Sequence, residues 1–169
     1  MRFLHSTLLC LLLIPASVQG ADPSKVDRSA IAVLDFELND LTLDPGNPAE
    51  RERTASIKPL LRDLLAAKSH TMVEVSAAAQ NAADRGVGYL FDHSDVAAAL
   101  GRTVGADWVI VGRVHKPSFL FVYFKAHVVN VRSGELTADL VVEVKGPQQA
   151  LTQRGVQRLA DQIEAAIGH

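Results

Sequence analysis

Ser94-Asp-Val-Ala-Ala-Ala-Leu-Gly-Arg-Thr-Val-Gly-Ala-Asp-Trp-Val-Ile-Val111 decides the fold. Val96, Ala97, Leu100 and Val104 repeat at helical spacing behind a capping Ser94, and Gly105 stands where a left-handed stop is wanted. Trp108 to Val111 then runs apolar without a break, so a helix delivers straight into a buried strand. Further along, Pro117-Ser118 turns the chain into a long strand, Phe119 to Val131, and Arg132-Ser-Gly-Glu135 turns it again into Leu136 to Lys145. These predict a three-stranded antiparallel meander. Gly146-Pro147 ends it, and Leu151, Val156, Leu159, Ile163 and Ile167 mark a terminal amphipathic helix with Gly155 as a weak point in its first turn.

Working back from Ser94, Ser29 to Phe36 is apolar almost throughout and reads as a first strand covered on both faces. Glu37 to Asn47 is rich in turn residues and reads as a loop. Asn47 caps a helix with Pro48 in its first turn, running to about Ala67 and kinked or restarted at Pro59. Thr71 to Val75 alternates as a short strand, and Ala77 to Asp84 is a small helix ended by Arg85-Gly86. The order predicts an α/β (α+β) fold: a mixed sheet of about five strands, with helices mainly on one side.

The 169 residues carry one cysteine, a net charge of -2 and 48% hydrophobic residues, which excludes collagen-like, disordered and disulfide-dense chains. Arg2, the apolar run Leu8 to Ile14 and the small-residue exit Ala16 to Gly20 match a cleaved secretory signal peptide over residues 1–20. A polar lead-in (21–28) and a single domain (29–169) follow, and a periplasmic location is expected. Leu9 before Cys10, with the apolar core running on through Leu13, argues against a lipoprotein. No later stretch reaches the roughly 20 apolar residues of a membrane anchor. Beyond the leader there is no cysteine, hence no thiol nucleophile and no cysteine-held zinc or iron–sulfur cluster. The slightly acidic balance gives no general attraction to nucleic acid.

Strand alternation places Leu120, Val122, Phe124, Ala126 and Val128 on one face, matched on the next strand by Leu136, Ala138, Leu140, Val142 and Val144. The opposite face carries Phe119, Phe121, Tyr123, Lys125 and His127, the composition of a protein-contact patch and our candidate partner-binding site. Cross-strand packing of the same aromatic residues is the alternative. Asp35, His93 and His115, with the loop after the first strand, form a weaker candidate ligand site. His115 and His127 could approach across the hairpin but have no located third ligand, so no metal is expected. His169 reads as a frayed terminus. Asp35 and Asp107 read first as loop-bracing carboxylates, and Asp92-His-Ser94 as a helix entry, because triad residues are brought together by folding. No nucleophile elbow, Walker loop or dinucleotide fingerprint occurs, so neither an enzyme nor a cofactor is expected.

Ile31-Ala-Val-Leu-Asp-Phe36, Val96 to Val114 and Asn130-Val-Arg-Ser-Gly-Glu-Leu136 together resemble the α/β domain shared by the TolB amino-terminal region, CsgG and LpoB. Val114-His-Lys-Pro-Ser-Phe-Leu120 and the segment Gly155 to Leu159 resemble, more closely, a bacterial family of small secreted proteins of unknown function. The likeness covers residues 29–167. It implies an envelope adaptor that acts by contacting a periplasmic or envelope protein. The alternative is a small-molecule or metal carrier using the loop Glu37 to Asn47 with Asp35, His93 or His115, and the resemblance implies a periplasmic system such as a quinoprotein dehydrogenase as its context. Where the close family carries a cysteine pair, this chain has Phe91-Asp-His93, and the membrane-hairpin insertions of CsgG are absent.

Overall fold

The structure, a computed structural model, describes residues 28–146 and 149–168. The expected leader with Cys10, nearly all of the expected lead-in, Pro147 and His169 lie outside the described residues. Six strands form one mixed sheet: β1 (Ala30–Val33), β2 (Glu37–Asp40), β3 (Thr71–Val73), β4 (Trp108–Lys116), β5 (Phe121–Asn130) and β6 (Leu136–Lys145). Their order is β3-β1-β4-β5-β6, with β2 also paired to β4. β3, β1 and β2 join by parallel pairing, while β4, β5 and β6 form the expected antiparallel meander.

β2 is the strand that turn chemistry concealed, since it occupies the first four residues of the expected loop. It continues the line of β1 along β4. Val33 pairs with Ile110 and Glu37 with Arg113, so Leu34, Asp35 and Phe36 lie against only Val111 and Gly112. The extra residue makes a bulge that turns Asp35 outward. Phe36 fills the space over Gly112, where an added Cβ would sit 2.3 Å from its ring.

The two long helices, α1 (Pro48–Ala67) and α5 (Gln149–Ile167), pack on one face against Ile31, Val33, Ile110, Val114, Phe124 and Val128. Asn47 caps α1 as expected, its side chain accepting from Glu50 N at 3.0 Å, but the expected restart at Pro59 does not occur and the helix runs through it as one element. Gly155 lets α5 settle closely on the sheet, since a Cβ there would meet Val144 at 2.6 Å and Phe124 at 2.9 Å. Three short helices, α2 (Ala77–Ala83), α3 (Tyr89–Asp92) and α4 (Ser94–Thr103), cover half of the other face over Ala32, Leu34, Val109, Val111 and Val129. β1 is therefore buried on both sides, as its composition requires. Gly105, at φ +69°, ends α4 in the left-handed conformation expected of it.

Two local expectations are corrected. Ser94 does not cap α4: His93 holds the cap position, and the Ser94 hydroxyl donates to Gly134 O at 2.9 Å, pinning the β5–β6 turn. Leu136 does not share the face of Ala138 and Leu140. The register slips between Val128 and Val129, so Leu136 pairs with Val129, whose side chain belongs to the opposite core. One extra residue at Thr137 reverses the alternation that placed it.

Candidate interaction face

Beyond the edge of α3, the side of the sheet not covered by α1 and α5 is open. Phe91 closes the covered half: it stacks on His127 with ring centroids 3.6 Å apart and lies under the Arg113 guanidinium at 4.3 Å. His127 Nδ1 meets Phe91 O at 2.9 Å, and its Nε2 lies 3.4 Å from Asp139. Burial under Phe91 holds His127 below the usual imidazole range, against the opposing pull of Asp139 and the Phe91 carbonyl. His127 is thus built into the helix–sheet junction, its side chain 12% exposed, while Lys125 and Tyr123 are half-buried further along the strand.

Exposure rises toward the end of the hairpin. Phe121 is 37% exposed, Phe119 60% and Leu120 71%. Phe119 and Leu120 belong to the β4–β5 turn, since β5 begins at Phe121 rather than Phe119. The Ser118 hydroxyl accepts from both Leu120 N and Phe121 N, so this turn is internally braced. Beside it lies the loop after β2. Leu41 N donates to Lys116 O at 2.9 Å, and Leu41 and Leu43 are 62% and 98% exposed.

Pairing of β2 with β4 therefore brings Leu41, Leu43, Phe119, Leu120 and Phe121 to one end of the sheet. Charges buried beneath them fix both loops. Asp40 accepts from Thr42 N, Thr42 Oγ1 and Gly46 N, and lies 3.5 Å from Lys116 Nζ. Lys116 also pairs with Glu50 at 3.2 Å and places its ammonium 5.4 Å from the Phe119 ring centroid. Burial alone raises the Asp40 pKa, but the bonds from Thr42 and Gly46, with the Lys116 charge, outweigh it and hold the group below its ordinary value. Sequence reading missed Leu41 and Leu43, because two isolated apolar residues in a turn-rich segment carry no periodic signal.

The weaker candidates fall in three separate settings. Asp35 pairs with Lys58 at 3.1 Å, while its backbone exchanges two hydrogen bonds with the Gln80 side chain. His93 stacks on Tyr89 at 4.1 Å. His115 meets Asn39 at 3.3 Å and lies below its usual pKa, through burial and then the charges of Lys125 and Arg113. His115 and His127 do not approach across the hairpin, because His115 pairs with Tyr123 and His127 with Val111. Among the described residues, no three His, Cys, Asp or Glu side chains are grouped to hold a metal ion. Asp107 braces the fold, as its place in a loop suggested, by accepting from Ala30 N at 2.8 Å.

Residues 29–163 match the model of the family DUF3280, described as a protein of unknown function (DUF2380). The chain belongs to this family. That agrees with the family of unknown function expected from the sequence. No curated protein matches the chain. Its fold is similar to that of the hypothetical protein CT253 of Chlamydia trachomatis, at 12% identity over 84% of this chain and 100% of that one, with a TM-score of 0.59. The PelC dodecamer of Paraburkholderia phytofirmans is similar at 13% identity over 83% and 87%, with a TM-score of 0.52. The LpoB C-terminal domain of Salmonella enterica also matches, at 20% identity over 69% and 82%, with a TM-score of 0.47. Among the described residues of this family member, no helix is long and apolar enough to cross a membrane.

Proposed function

We propose that this chain is a non-catalytic accessory protein of the bacterial envelope, docking a periplasmic or envelope protein through the apolar end of its sheet. The observation that carries this reading is the clustering of Leu41, Leu43, Phe119, Leu120 and Phe121 on two braced loops. Exposing five large apolar side chains costs solubility, and a loop held open by a buried ion pair is not free to fold them away. Tyr123 and Lys125 extend the surface onto the open sheet, adding the aromatic and cationic character common at protein interfaces. His127, behind them, serves as a support for the face rather than a contact.

The test is a crosslinking pull-down from periplasm with the exported protein as bait. A specific partner should be retained by wild type and lost by Phe121→Ser/Tyr123→Ser, with the variant's melting curve unchanged. A partner held equally by both proteins would remove this face from consideration.

A further inference from the structure

We propose that the opposite end of the sheet holds a binding site for a doubly charged oxyanion, of the kind carried by a phosphate monoester. A cleft of about 710 Å³ opens there, where β1 and β4 begin and β5 ends, within the size range of small-ligand sites. Arg28, Arg102 and Arg132 line it, and among the described residues none of the three takes part in an ion pair. Asp107 is the acidic residue in the lining, and one of its oxygens is engaged by Ala30 N. The ends of α4 and α5 add roughly half a negative charge each. Three guanidiniums outweigh the sum, leaving a positive cleft on a chain whose net charge is -2.

Two of the arginines are held in place. The Arg102 guanidinium donates through Nη1 to Val131 O at 2.9 Å. Arg132 lies two residues beyond Asn130, whose side chain accepts from the backbone N–H groups of Arg132 and Ser133, in the turn that Ser94 pins to α4. Planar guanidinium forks match the paired oxygens of phosphate, and set on a rigid frame they lose little freedom when they bind it. Trp108 and Ile167 supply an apolar wall, so the ligand carries a non-polar body beside its anionic group.

Trp108 is the one tryptophan in the chain, and its fluorescence reports on this cleft. The exported protein is titrated with inorganic phosphate and with glycerol phosphate, sodium chloride at matched ionic strength being the reference. In parallel it is sedimented with phosphatidylcholine vesicles with or without phosphatidic acid, the lipid whose headgroup is a phosphate monoester. The expected result is a saturable Trp108 signal with the soluble phosphates, weakened at least tenfold by Arg28→Gln/Arg132→Gln and unchanged by Arg154→Gln, an exposed arginine in the first half of α5 and outside the cleft. Arginine-dependent binding to phosphatidic acid vesicles alone would also sustain the oxyanion site and place its ligand on a lipid headgroup. Absence of a saturable effect in both arms, or binding indifferent to the arginine substitutions, overturns the proposal. Each arginine is also replaced singly, so that a poorly folding double variant does not decide the result. The site is remote from the apolar end, and loss of either reading leaves the other standing.

Discussion

Gly112 shows how one missing side chain sets a contact. Its Cβ position is occupied by the Phe36 ring, so Gly112→Ala is expected to destabilise the fold by about 1–3 kcal/mol in urea denaturation, the usual cost of overpacking. Gly155→Ala sets two effects against each other: alanine favours a helix by about 1 kcal/mol, but the new methyl meets Val144 and Phe124. The contact at 2.6 Å is the larger effect, and net destabilisation is expected. His127 shares the pH dependence at this scale with His115, whose pKa is lowered in the same direction; His127 is the one built into the helix–sheet junction. Its folded pKa is lowered, chiefly by burial, so the folded state prefers the neutral ring. The stability this contributes is complete above the unfolded value of about 6.5 and is lost as pH falls through it toward the folded value. The melting temperature should therefore fall between pH 7.5 and pH 5.5, and His127→Gln should narrow the difference. The aromatic residues, His127 and Asp35 were all visible as residue types, but their roles were not. The partner of each lies far away in sequence: Phe91 for His127, and Lys58 with Gln80 for Asp35.

At the scale of elements, local rules held at several boundaries and failed at two, since Ser94 does not cap α4 and α1 does not restart at Pro59. The Asn47-Pro48 start of α1, the Gly105 stop of α4 and the β5–β6 turn all use bonds within a few residues. β2 escaped notice because Asn39 and Asp40 resemble turn residues, while the partner that makes them a strand is β4, more than seventy residues away. The same pairing buries Asp40 against Lys116, and this permits a prediction. Lys116→Met should cost about 3–5 kcal/mol in chemical denaturation, because Asp40 and Glu50 would remain buried without their shared cation. Lys116→Arg, which keeps the charge, should cost much less.

On the scale of the whole molecule, the sheet has two unlike ends, one apolar and one lined with arginine. Replacing Leu41, Leu43, Phe119 and Leu120 together by Ser should leave the thermal midpoint within a few degrees of wild type while abolishing partner capture, since these side chains add little to the core. A large loss of stability would instead show that they pack in the folded chain. The amino-acid sequence by itself determined the fold class, the antiparallel meander, the two-sided burial of β1 and most helix boundaries, because hydrophobic period and turn chemistry are local properties of the chain. Tertiary structure alone decided that Leu41 and Leu43 stand beside Phe119, that His127 lies under Phe91, and that three distant arginines share one cleft. Strand pairing and bulges, through contacts across the length of the chain, choose which side chains meet and which face water, and no local pattern encodes that choice.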